Sequence, residues 1–169
     1  MYRTREQCFD MDVNKVHSFV LGKLGCGAEV VDYTFRYDGG YVIIHSSIPL
    51  SDNSEPIDPP NEGFAVLQMR ISPQIRTRET GSYRPVTEPK DVEEIIRVKL
   101  LGCGVEPATI CATREQDVIV TRNGSTFVMP AWSVMVAGVI VRANDAHQLL
   151  TKGFPGRGRA YGFNLVQIK

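Results

Sequence analysis

Between Gly153 and Gly162 the chain sets four glycines, Gly153, Gly156, Gly158 and Gly162, around two arginines, Arg157 and Arg159, ahead of an apolar tail ending at Lys169. Glycine lets the backbone approach an anion and turn its N–H groups toward it, and a guanidinium forks onto phosphate oxygens. The chemistry on offer is phosphate binding by a flexible cationic loop. A solvated surface loop has the same composition, and this stretch alone does not choose between the two. The second chemical candidate is His17, because an imidazole titrates near neutrality and can take up or release a proton.

The element that carries His17 is a helix. Val13, Val16, Val20, Leu21 and Leu24 recur at helical spacing, with Asp12 as N-cap and Gly25 as the stop. On a helical wheel His17 falls inside that apolar stripe, a place that suits a core-edge histidine with satisfied nitrogens as well as a reactive one. Asn14, one turn earlier, adds a polar notch beside it.

Charge is distributed unevenly over a chain whose formal net charge is zero. From Leu67 to Arg84 there are four arginines, Arg70, Arg76, Arg78 and Arg84, against the single acid Glu79, and from Lys152 to Lys169 there are four cations and no acid. Acids gather at Asp52, Glu55, Asp58 and Glu62, and again at Glu88, Asp91, Glu93 and Glu94. Zero net charge excludes a sticky, nonspecific nucleic-acid binder but leaves room for a local basic surface. The apolar fraction of 43% and charged fraction of 22% are those of a globular protein. Cys8, Cys26, Cys103 and Cys111 contain no Cys-x-x-Cys pair, so neither a zinc cluster nor a redox pair is indicated, and no metal or cofactor is expected. No signal peptide and no bilayer-length apolar run is present, which predicts a cytoplasmic protein without membrane contact.

Taken in order, residues 2–9 read as a short polar strand at a sheet edge, followed by the His17 helix. Residues 29–37 and 41–46 are β-rich runs joined by Asp38-Gly39-Gly40, a hairpin signal. Four prolines and intervening acids make residues 49–63 an extended linker, with at most a short strand around Ile57, and place a domain boundary near Glu62. A strand restarts at residues 64–72, and the arginine-rich 74–85 reads as a loop. An amphipathic helix follows over 88–101, capped by Thr87, stopped by Gly102 and carrying a Glu93–Arg97 pair. Residues 105–112 form a strand, and 117–121 with 125–129 form a hairpin turning at Arg122-Asn123-Gly124. Residues 132–142 are a long strand, Asn144 or Asp145 caps a short helix, and a last strand spans 161–168.

The second half thus reads β-α-β-(hairpin)-β-α-β, a ferredoxin-like unit with an inserted hairpin, and the first half β-α-β-β, the same unit without its second helix. The fold class predicted is α+β: tandem ferredoxin-like (RRM-like) domains, residues 1–62 forming the reduced N-terminal one and 63–169 the C-terminal one.

The glycine-rich segment Gly156–Asn164, preceded by Val136–Asp145, resembles the C-terminal signature of CRISPR repeat-processing endoribonucleases, the CasE subfamily of the RAMP superfamily. Arg159 stands where that family usually has lysine. The strand Phe64–Pro73 with Arg70, the Arg84-Pro85-Val86 segment before the acidic helix, and the hairpin Tyr33–Pro49 resemble further family elements. His17 lies at the place expected for the catalytic histidine, and Asn14 where a tyrosine is common. The resemblance implies metal-independent cleavage of CRISPR precursor RNA at the 3′ base of a repeat stem-loop. In that chemistry the 2′-OH attacks the adjacent phosphorus, leaving a 2′,3′-cyclic phosphate. It implies His17 for proton transfer, Arg159 and Lys15 on the developing oxyanion, and Arg157 and Asn14 as positioning groups. RNA would be held by Arg122 and Asn123 at the hairpin tip, by Arg70, Arg76, Arg78 and Arg84 on phosphates, and by Arg157 with Gly156 and Gly158 in the loop. Other Cascade subunits are the further partners implied. Two alternatives stay open at this stage: a noncatalytic subunit that holds the RNA hairpin in a Cascade-like complex, and a ferredoxin-like metabolite-binding regulator.

Overall fold

The computed structural model describes residues 1–9, 11–25, 31–38, 40–77, 81–122 and 124–169, with Arg122 described through its backbone alone. Two antiparallel four-stranded sheets organise it. The first contains β1 (Tyr2–Gln7), β2 (Tyr33–Asp38), β3 (Tyr41–Ser46) and β4 (Glu55–Pro56) in the order β2-β3-β1-β4. Helix α1 (Val13–Leu24) covers one of its faces, burying Val16, Val20 and Leu24 against Phe35, Val42 and Ile44. The Asp12 carboxylate accepts hydrogen bonds from the N–H groups of Asn14 and Lys15, and Gly25 ends the helix, as the sequence predicts.

The strand expected at an edge is interior: β1 pairs with β3 over its length and with β4 at Tyr2 and Arg3. Its polar residues are reconciled with that position one by one. Buried Thr4 shares a 2.8 Å hydrogen bond with the Ser54 hydroxyl, and Glu6 pairs with Lys23 of α1 at 3.3 Å. The hairpin β2-β3 is present, although its turn at Gly39 and the expected strand start at residues 29–30 lie outside the described residues.

The second sheet contains β5 (Gly63–Ile71), β8 (Val105–Arg114), β11 (Trp132–Ile140) and β12 (Val166–Ile168), ordered β12-β5-β11-β8. Numbered within its own unit that order is 4-1-3-2, and the first sheet repeats it. Both sheets therefore carry ferredoxin-like topology, and the first lacks a helix between β3 and β4. Helices α2 (Pro89–Gly102) and α3 (Ala143–Lys152) bury Val92, Ile96, Leu100, Ala146 and Leu149 against Leu67, Met69, Trp132 and Val136. The inserted hairpin, β9 (Val118–Arg122) with β10 (Ser125–Met129), roots itself in a separate small cluster of Val120, Met129, Ala131 and Phe163.

Several local expectations change. Residues 74–85 are not a plain loop: β6 (Gln74–Arg76) pairs with β7 (Tyr83–Pro85) as a second hairpin. Glu88, not Thr87, holds the N-cap position of α2 and makes no side-chain cap bond, and Arg97 donates to the Pro107 carbonyl at 3.2 Å rather than meeting Glu93. At α3 the cap position is Arg142, whose Nε donates to the Asp145 carboxylate, so that carboxylate is not a cap. The final strand is only Val166–Ile168, preceded by a 3₁₀ turn at Arg159–Tyr161, because Gly162 and Asn164 hold φ near +76° and +75°, incompatible with a strand.

The C-terminal end of α3 and the segment after it rest on the first sheet. Buried His45 of β3 lies with Nδ1 3.3 Å from the Leu150 carbonyl. No helix among the described residues is long and apolar enough to cross a membrane.

Candidate nucleic-acid interface

The glycine-rich loop is tied down at every turn. Its ends close on each other, the Phe154 N–H donating to the Asn164 carbonyl at 2.7 Å and the Asn164 N–H to the Arg70 carbonyl at 2.7 Å. Inside that ring the Asn164 amide donates to the Arg157 carbonyl at 3.0 Å, and Lys99 Nζ donates to the Pro155 carbonyl at 2.5 Å. Burial lowers the pKa of Lys99, whose ammonium also lies 5.4 Å from the centre of the Phe154 ring. Gly158 holds φ near +100°, and a Cβ there would stand 3.0 Å from both Met129 and Phe163, so any other residue is strained at this position. Gly156 is different: a Cβ would meet nothing closer than Lys99 Nζ at 3.6 Å.

Above this loop two hairpins form walls. Gln74, Tyr83 and Pro85 of β6-β7, Phe127, Val128 and Met129 of β10 and, as its floor, Gly156–Tyr161 line a cleft of about 620 Å³. Exposed Arg157 places its guanidinium carbon 3.7 Å from the centre of the Tyr83 ring. Phe127 meets Tyr161 edge to face, with ring centres 5.9 Å apart.

The loop also reaches the helix of His17. The 3₁₀ turn that begins at Arg159 packs against α1 and against β2, the edge strand of the first sheet. Phe35 of β2 makes the link: His17 stacks on it with ring centres 6.1 Å apart and planes 13° from parallel, and its Cε2 stands 3.4 Å from where a Cβ on Gly162 would be. The first-turn residues Asn14, half-buried, and Lys15, exposed, precede His17 on α1.

The predicted cations divide into groups. Arg157 and Arg159 both line the cleft, and Arg159 donates from Nη2 to the Lys152 carbonyl at the end of α3, 2.7 Å away. Arg76 and Arg84 stand exposed on the β6-β7 hairpin, Arg76 donating to the Gly81 carbonyl at 3.4 Å. Arg70 is half-buried: its Nε pairs with Glu115 at 2.7 Å, and its guanidinium lies 5.1 Å from the Phe163 ring. Arg78, Asn123 and the Arg122 side chain lie outside the described residues; β9 ends at Arg122, whose backbone pairs with Ser125 of β10. Among the described residues no group of three or more His, Cys, Asp or Glu side chains is gathered for a metal ion.

Four further residues belong to the cleft or its supports and carry no mark in the sequence pattern: Lys99, Tyr83, Phe127 and Tyr161.

No protein-family model matches the chain, and no curated protein matches it. Solved structures do share its fold. A CRISPR endoribonuclease Cse3 bound to a 19-nucleotide RNA aligns with a TM-score of 0.87 over 100% of both chains at 14% identity. The CRISPR-associated protein Cas6e from Escherichia coli K-12 aligns at 0.79 over 99% of this chain and 98% of its own, at 15% identity. A chain of a CRISPR RNA-guided surveillance complex aligns at 0.71 over 99% and 98%, at 16% identity. The tandem ferredoxin-like fold expected from the sequence is the fold these proteins have.

Proposed function

We propose that the chain is a CRISPR repeat-processing endoribonuclease of the CasE type, which binds a repeat stem-loop and cuts at its 3′ base. The observation that carries this reading is the meeting of the arginine-bearing glycine loop with the helix of His17, joined through Phe35. The likeness in fold to proteins named as CRISPR endoribonucleases, one of them bound to RNA, supports it.

In the reaction the 2′-oxygen loses its proton to a base and attacks the adjacent phosphorus. The bond from phosphorus to the 5′-oxygen breaks, the departing oxygen takes a proton, and a 2′,3′-cyclic phosphate and a 5′-OH remain. His17 moves the proton, since an imidazole serves as acceptor or donor near neutral pH. Arg159 and Lys15 stabilise the charge that builds on the phosphoryl oxygens. The bond from Arg159 to the Lys152 carbonyl is exposed and worth about 1 kcal/mol, so a phosphodiester anion competes for the guanidinium effectively. Arg157 and Asn14 position the strand, and Gly156 and Gly158 let the loop backbone approach it.

Arg76, Arg78 and Arg84 meet phosphates along one hairpin, and Arg122 with Asn123 meets the duplex from the tip of the other. Arg70, whose Nε is held by Glu115, meets phosphate with its remaining N–H groups. The two ferredoxin-like units divide near Glu62, between β4 and β5.

A second reading is favoured by the fold shared with a chain of a surveillance complex, together with Asn14 in the place of a tyrosine. There the protein holds the RNA hairpin among Cascade subunits without cutting it. Incubation with repeat RNA in EDTA separates the two: cut RNA ending in a cyclic phosphate supports the endoribonuclease, and tight, salt-sensitive binding with intact RNA supports the subunit.

A further inference from the structure

The proposed chemistry uses the floor of the 620 Å³ cleft and leaves its walls unexplained. Those walls are aromatic. Tyr83 is 43% exposed and Phe127 39% exposed, and both rings line the cleft. Inside a duplex the base faces are covered by their neighbours and only the end pair leaves one free, whereas an unpaired base exposes both faces. Two pairs of planar side chains line the cleft. In one the Arg157 guanidinium lies on the Tyr83 ring at 3.7 Å, and a planar guanidinium stacks on a π-face as readily as it forks onto phosphate. In the other Phe127 and Tyr161 hold each other edge to face. Gln74 lines the same cleft, and its amide offers both a donor and an acceptor to a base edge.

We infer that this cleft takes one unpaired nucleobase of the bound RNA, stacked between the Tyr83–Arg157 wall and the Phe127–Tyr161 wall with Gln74 at its edge. The inference rests on the RNA-binding reading and adds to it a requirement for a single-stranded nucleotide beside the stem. Arg157 then has two tasks, its charge near the phosphate and its plane against the base. Stacking tolerates any base, so discrimination among bases falls to Gln74.

The test is an abasic scan. A repeat stem-loop RNA with five unpaired nucleotides on each side of the stem is bound to the protein, each unpaired base being removed in turn. One position is expected to lose about ten-fold in affinity, and 2-aminopurine placed there is expected to be quenched on binding. Tyr83→Ala and Phe127→Ala should lose a similar factor with the intact RNA and little more with the abasic one, while Tyr83→Phe retains wild-type affinity. If no abasic position weakens binding while a stem-loop with blunt ends binds as well as the extended one, the base slot is wrong and the RNA-binding reading stands. If no repeat stem-loop binds at all, both fall.

Discussion

Arg159 replaces a lysine usual in the family that the chain resembles, and its guanidinium rests on the Lys152 carbonyl at 2.7 Å. If its task is charge on the phosphoryl oxygens, the ammonium of a lysine serves nearly as well. Arg159→Lys should therefore keep single-turnover cleavage within about ten-fold, whereas Arg159→Ala should lose about 100-fold, the scale of one lost oxyanion donor. Local chemistry was legible in part: the Asp12 cap and the Gly25 stop follow from short-range rules, whereas the caps expected at Thr87 and at Asn144 or Asp145 do not form. Partners distant in sequence were not legible. Arg70 reads as a lone cation in the sequence, and its ion pair with Glu115, 45 residues away, could not be seen there.

At the scale of elements, the loop acts as a strap over the edge strand β2 and under the inserted hairpin. Its shape depends on Gly158 and much less on Gly156. Gly158→Ala should cost about 2 kcal/mol from forcing a side chain into left-handed backbone against Met129 and Phe163, and Gly156→Ala less than about 0.5 kcal/mol, both read from urea unfolding midpoints. The long elements were readable from periodicity, including the whole β-α-β-hairpin-β-α-β order of the second unit. The hairpin β6-β7 was not, since its strands are three residues each and hold no apolar alternation. With it went the position of Tyr83, and so one wall of the cleft. The tail misled for a related reason: residues 161–165 have the composition of a strand, but two left-handed positions curl them into the strap.

Across the whole molecule, the tandem arrangement matters because it lets one unit supply a helix and the other a loop to a shared place. The seam between them contains a titratable group. Burial pushes the pKa of His45 down to about 4, with the Arg3 charge lowering it further and the Leu150 carbonyl partly opposing. The neutral imidazole is thus the folded form, and protonation near the ordinary value of about 6.5 favours the unfolded chain. Stability should be full above about pH 6.5 and fall as the pH drops toward 4, by on the order of 3 kcal/mol from this group, and His45→Gln should flatten that slope in urea unfolding. The division into two similar units was visible in the sequence because turn signals and prolines punctuate it, while the seam was not, since it is made of backbone carbonyls and a histidine with no partner nearby in the chain. An imidazole on α1 and a cationic loop from the other unit meet at that assembly, the arrangement proposed to cut RNA. The most direct measurement is single-turnover cleavage of a repeat stem-loop in EDTA by the wild-type protein and by His17→Ala, with RNA affinity measured alongside. The account predicts cleavage by the wild type and a loss of at least about 100-fold in the variant at nearly unchanged affinity. Equal cleavage by the two proteins would contradict it.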